Sequence, residues 1–229
     1  MLGILASVGV IVLGGFIGSF LKKEISVKKF AIFGICVAII SLVSFIENVF
    51  EVSGTILKSS RLYSIIFSLI VGYFIGEIFK LEERVNGISK KIHANSGVVE
   101  TTVFFAVGGL QISGPILLAV SGDSSLLFLK CAIDFPFAIM YGALFGKSVT
   151  LSAIPVGLIQ IIIALAAFLV GAFVSAEMLA QLCAVGYVIL FFSGFNMIAD
   201  DKNRVKTVNM LPSIPLVIIL NIIISLIGV

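Results

Sequence analysis

The sequence predicts an all-α fold: a polytopic bundle of about eight transmembrane helices, forming a single integral membrane domain over residues 1–229. Three observations predict it. Of the 229 residues, 60% are apolar and only 12% charged, against about half and about a quarter in ordinary soluble domains. Apolar stretches of roughly 20 residues recur along the whole chain, and at about 1.5 Å per residue each can cross a hydrocarbon core about 30 Å thick. The chain has 22 glycines and no tryptophan, which fits close helix packing rather than Trp-rich interfacial belts. What lies outside the apolar stretches is too short for a soluble catalytic head or a fused binding module.

In chain order the spans are expected at 2–21, 30–50, 62–80, 98–120, 124–146, 151–173, 178–198 and 208–228. The first, MLGILASVGVIVLGGFIGSF, has no basic region ahead of its apolar run, so a retained helix is expected rather than a cleaved signal. After the third span, LEERVNGISKKIH is mixed in sign and reads as a short cytoplasmic surface helix; its His93 has no neighbouring ligands for a metal. The fourth span carries Glu100 near its cytoplasmic end, then Gln111, Ser113 and Gly114-Pro115. The fifth carries Lys130, Asp134 and Pro136, and the sixth carries Ser152, Pro155 and Gln160. Asn196 closes the seventh, while Asn209, Pro212, Pro215 and Asn221 lie in the eighth. Glycine and proline interruptions point to broken helices, whose unwound carbonyls form transport sites.

Basic residues set the orientation, because positive charge in short loops marks the cytoplasmic side. With the first loop inside, the cytoplasmic segments hold Lys22, Lys23, Lys28, Lys29, Lys80, Arg84, Lys90, Lys91, Lys147, Lys202, Arg204 and Lys206, twelve of the fifteen. Lys58 and Arg61 fall on the other side, and both termini are expected outside the cytoplasm. The same residues serve as topology signals and solvated faces, so nucleic acid is not an expected partner. FIGSF followed by FGICVAIISLVSFIEN loosely matches FLVGAF followed by VGYVILFFSGFN. The charge count runs these two helix pairs in opposite directions, as an inverted repeat requires. Small-residue pairs, Gly14 with Gly18, Gly72 with Gly76 and Gly142 with Gly146, allow close backbone approach, either within one chain or between two copies.

An ionisable side chain inside lipid is costly and therefore the first place to seek function. Lys130 and Asp134 stand four apart on one helix face, with Asp134 near mid-span. Lys130 is long enough to snorkel outward, whereas a short aspartate must be paired, protonated or beside water. Pro136 frees the carbonyl of Ala132, a second polar group within one turn of Asp134. Around this pair the candidate site comprises Asp134, Lys130, Gln111, Gln160, Ser152, Asn209, Asn196 and Glu100. Ser124 and Ser125 sit where they would cap the fifth helix. The chain has no HExxH, CxxC, phosphate-binding Gly-rich loop or G-x-S-x-G elbow. An enzyme is not expected, nor is a cofactor.

The run VETTVFFAVGGLQISGP, then SGDSSLLFLKCAIDFPFAIMYGALFGKSVTLSAIPVGLIQ, then VNMLPSI resembles the YdfK/YqgA-like family of prokaryotic integral membrane proteins. The motifs that carry the likeness are Gly122-Asp123, Lys130 with Asp134, Ser152-Ala153 with Pro155 and Gln160, and Asn209-Met210-Leu211-Pro212. The chain departs from the family pattern at Ser7, where asparagine is usual, and at Phe135, Ile161 and Val208, where glycine is common. The resemblance implies a polytopic protein of the prokaryotic inner membrane, of a family often labelled as candidate transporters, and it implies no substrate. The leading expectation is thus a small secondary transporter or ion-conducting protein with a mid-membrane polar site in spans four to eight. Lipid, an unknown small solute or ion, and further copies of the chain are its expected partners. The alternative is a structural or regulatory membrane subunit that binds a partner protein or lipid and transports nothing.

Overall fold

Each of the eight apolar stretches holds helix among the described residues of the computed structural model, which are 2–21, 27–51, 59–91, 96–107, 109–170 and 175–227. The helices are α1 (Leu2–Phe20), α2 (Val27–Glu51), α3 (Ser59–Ile78), α4 (Leu81–Lys91), α5 (Ser96–Val107), α6 (Gly109–Ser121), α7 (Ser125–Phe145), α8 (Ala153–Val170), α9 (Ala176–Asn196) and α10 (Ser213–Ile227). Leu2–Phe20, Glu177–Asn196 and Thr207–Ile224 are each long and apolar enough to cross a membrane, as is Ser125–Leu169, which holds both α7 and α8. Shorter apolar helices run over Ala31–Glu47, Leu62–Ile78 and Leu110–Ser121. The segment after the third span is a short helix, α4, with Glu82 and Glu83 in its first turn, where acidic groups suit the positive end of the helix dipole. His93 lies outside the described residues.

Proline interrupts less than its positions promise. Pro115 lies inside α6 and Pro136 inside α7, and both helices continue past them. The tighter 3₁₀ geometry appears instead at span entrances, over Gly146–Ser152 before α8 and Thr207–Met210 before α10. At the start of α7 the expected serine cap is replaced by Asp123. Its Oδ1 accepts the Ser125 N–H at 2.8 Å and its Oδ2 accepts the Ser125 hydroxyl at 3.0 Å, while Ser124 makes no side-chain cap.

The helices fall into two compact units, each discontinuous in sequence: Met1–Lys29 with Val85–Phe173, and Phe30–Arg84 with Val174–Val229. In the first unit, α1 lies along α7 as its most extensive partner and also packs on α8. The buried face of α1 is small and polar, with Gly3, Ser7, Gly14, Gly15, Gly18 and Ser19 joined by Ile4 and Ile11. Its exposed face carries Leu2, Leu5, Leu13, Phe16, Ile17 and Phe20. A helix in water would show the reverse, so this arrangement fits a lipid surround in which large apolar groups face outward and small ones let backbones meet. A Cβ on Gly18 would run into the Ile139 carbonyl, one on Gly14 into Ala138, and one on Gly142 into the Gly15 carbonyl. In the second unit, Gly34 and Gly194 meet so closely that a Cβ on either would lie 2.6 to 2.7 Å from the other's carbonyl oxygen. Gly72 and Gly76 of α3 abut Ser213 and Asn209 in the same way. Five of the six glycines in the expected small-residue pairs therefore close contacts within the chain, and Gly146 instead supplies a positive φ of 73° past the end of α7.

Candidate functional site

Most of the expected site residues lie in the first unit. α7 turns one face inward, burying Leu127, Lys130, Cys131, Asp134, Phe137, Ala138 and Tyr141 at intervals of three and four. Lys130 is 3% and Asp134 6% exposed, and the ammonium donates to Asp134 Oδ2. Lys130 thus does not snorkel outward; it lies back along its own helix because a carboxylate is the better partner for a buried ammonium. Its Nζ also sits 5.6 Å from the ring centroid of Phe105 on α5, close enough for a cation–π contact. Phe105 belongs to an aromatic cluster with Phe104, Phe137, Tyr141 and Phe145. The carbonyl freed by Pro136 does not join this group. Ala132 and Pro136 are both exposed, being two positions and so about 200° around the helix from Asp134.

Three helices bring a second polar group together inside the first unit. Gln160 of α8 donates through Nε2 to Ser7 Oγ of α1 at 3.0 Å and to Gln111 Oε1 of α6 at 2.8 Å. Gln111 donates in turn to the Val156 carbonyl at 3.1 Å. All three side chains are fully buried. Gln111 and Gln160 were legible as amides inside apolar spans; Ser7 was marked only as a departure from the family's usual asparagine and was not among the expected site residues. Ser152 is buried too, but its hydroxyl donates to the Val149 carbonyl, 2.6 Å away within its own 3₁₀ turn. Glu100 lies on α5.

Asn209 and Asn196 belong to the second unit, where each is engaged locally. Asn196 closes a loop, donating to the Val205 carbonyl at 2.7 Å and accepting the Val205 N–H at 2.8 Å. Asn209 donates to Glu77 Oε2 at 2.9 Å and accepts the Glu82 N–H at 2.9 Å, fastening the 3₁₀ turn before α10 to the α3–α4 corner. Lys206 completes this anchor with Glu77 at 3.3 Å and Glu83 at 3.6 Å. The Lys206 ammonium is held above its ordinary range by its hydrogen bond to Glu77. Partial burial raises the Glu82 carboxyl, against the Val208 N–H and the Lys206 charge, which pull it down. Both asparagines thus serve as structural clasps. A further cluster was not foreseen as a group: Ser64 donates to Gln181 Oε1 at 2.6 Å, and the Gln181 and Asn221 carboxamides exchange hydrogen bonds at 2.8 and 2.9 Å.

A family described as a protein of unknown function, DUF554, matches residues 2–222. The chain belongs to the DUF554 family. This DUF554 chain is 27% identical over 232 residues to the uncharacterized protein YqgA of Escherichia coli strain K12, covering 93% of each. It is 28% identical over 157 residues to the uncharacterized membrane protein YdfK of Bacillus subtilis strain 168, covering 66% of this chain and 68% of that one. No solved structure matches. The apolar helices and the YdfK likeness together make this DUF554 chain a membrane protein, in agreement with the family its motifs resemble.

Proposed function

We propose that the chain is a small secondary transporter or ion-conducting protein of the prokaryotic plasma membrane rather than an enzyme. In this reading it acts on a small solute or ion through the polar groups of its first unit, as a homo-oligomer in lipid. One observation carries the reading: an ammonium and a carboxylate, 3% and 6% exposed, are retained on an otherwise apolar helix. Replacing a buried ion pair by well-packed hydrophobic side chains is often neutral or stabilising, so stability alone is a weak reason to keep Lys130 and Asp134. A transported proton or cation has a reason, since it competes with the Lys130 ammonium for the same carboxylate. The test is flux in proteoliposomes under imposed proton, sodium or potassium gradients, comparing the parent chain with the double variant Lys130→Met/Asp134→Leu. Flux in the parent and none in the variant supports the reading; equal flux in both removes the pair from the mechanism.

A second reading is favoured by the same geometry, because Lys130 and Asp134 already neutralise one another. A structural or regulatory subunit would need no more than that. It predicts a protein or lipid that stays bound through mild-detergent purification, and liposomes without flux.

The orientation belongs to the same proposal. Reporter fusions after residues 90 and 204 are expected to read cytoplasmic and one after residue 56 external, with both termini outside. An external signal at residue 90 would overturn the orientation and, with it, the inverted repeat.

A further inference from the structure

Past α7 the chain turns on Gly146, whose φ of 73° suits a residue without a Cβ. The 3₁₀ turn that follows, Gly146–Ser152, is seated on α1, where a Cβ on Gly15 would press on Val149 and Thr150 at 3.2 to 3.3 Å. Lys147 is thereby carried to the last turn of α1. Its Nζ lies 5.8 Å from the ring centroid of Phe16 and 5.7 Å from that of Phe20, inside cation–π range. The two rings stand one helical turn apart and meet edge to face, with centroids 4.8 Å apart.

Phe16 and Phe20 belong to the outward stripe of α1, being 47% and 66% exposed. The Lys147 ammonium therefore sits on the lipid-facing side of the helix rather than beyond its end. α1 is 19 residues long, about 28 Å of helix and close to one hydrocarbon thickness, which puts its last turn at the boundary between acyl chains and headgroups. Lys147 is exposed there, and no carboxylate pairs with it among the described side chains. Lys80, Lys130 and Lys206, by contrast, each pair with a glutamate or an aspartate. The chain also runs on from Leu21 into Lys22 and Lys23, so two more positive charges follow within three residues of the end of α1.

From this arrangement we propose that the end of α1 and the Gly146–Ser152 turn form a binding site for the phosphate of one anionic phospholipid, with Lys147 as its fixed cation. The rings orient the ammonium without using up its N–H donors, which remain for a phosphate oxygen in a charge-assisted bond. Leu13 and Ile17 continue the exposed stripe toward mid-membrane and give the acyl chains an apolar bed. An anionic headgroup is favoured over a zwitterionic one, because the latter brings its own ammonium to a place already rich in positive charge. In the proposed orientation the site belongs to the cytoplasmic leaflet. It does not rest on the transport reading.

The test is the thermal unfolding midpoint of the full chain, purified in mild detergent and titrated with phosphatidylglycerol, phosphatidylcholine or inorganic phosphate. A ligand that binds only the folded state raises the midpoint in a saturable way. The expected result is a rise on the order of a few degrees with phosphatidylglycerol and none comparable with the other two. In Lys147→Gln the half-saturating concentration should move up about fivefold, the worth of one basic residue at an anionic surface. Lys147→Arg keeps the charge and should stay near the parent curve. Phe16→Leu/Phe20→Leu leaves the surface apolar but removes the rings, and should weaken binding in the same direction as Lys147→Gln. The site is overturned by equal curves for the two lipids, by an equal rise with inorganic phosphate, or by a parent-like curve in Lys147→Gln. If Lys147→Gln does not fold, the ring variant decides by the same measure. Flux plays no part in these readings, so the lipid site and the transport reading stand or fall separately.

Discussion

Asp134→Asn and Lys130→Met are each expected to cost about 3–5 kcal/mol of folding stability, because each strands a buried charge without its counter-charge. Lys130→Met/Asp134→Leu together should return to within about 1–2 kcal/mol of the parent, since the space is then filled by apolar atoms that need no partner. The asymmetry follows from the geometry. Lys130 is buried and turned onto Asp134, and its other close contact of a favourable kind is the face of Phe105, a much weaker substitute for a carboxylate. Unfolding midpoints of the parent, the two single variants and the double variant complete a cycle whose coupling energy should be large. Additive single effects would show that the pair contributes nothing as a pair. The cycle also makes flux measurements interpretable, because only the double variant removes both charges while keeping a folded bundle.

Gly18→Val is expected to abolish folded protein, while Gly9→Val on the same helix should be tolerated. A Cβ on Gly18 would overlap the Ile139 carbonyl and crowd the Ala143 backbone, whereas one on Gly9 meets nothing within 4 Å. Overpacking costs about 1–3 kcal/mol where flexible side chains can yield. At Gly18 the obstacle is backbone, and the two helices involved, α1 and α7, form the main contact of the first unit. Gly9→Val places the same residue in the same helix, so intrinsic helix propensity cannot account for the difference. Folded yield from size-exclusion chromatography in detergent checks both, and equal behaviour of the two variants would remove the tight α1–α7 seal from the account of the fold.

Much of the architecture was legible because membrane crossing imposes a length and a composition on each segment. The eight apolar stretches, the short charged helix after the third and the burial of Lys130 and Asp134 on one face of the fifth all follow from helical periodicity and from the absence of water to solvate backbone groups. Gln111 and Gln160 were visible for the same reason, as amides where amides are costly.

What a side chain bonds to is not encoded by its own position, and here only the tertiary structure decided. Asn209 and Asn196 read like Gln111 and Gln160, yet they are used up in clasps with Glu77, Glu82 and Val205. Ser7 stood out only as a departure from the family's usual asparagine, and it accepts a hydrogen bond from Gln160. Pro136 looked like the source of a carbonyl for Asp134, but its freed carbonyl is on the opposite, exposed side of α7. The small-residue pairs could have joined two chains, and five of their six glycines instead close contacts within one. The physical reason is the same in each case. The sequence by itself determines that a polar or small group enters the membrane, because that depends on local composition. Which partner it meets depends on how helices distant in the chain come to lie side by side, as α1, α6 and α8 do around Gln160.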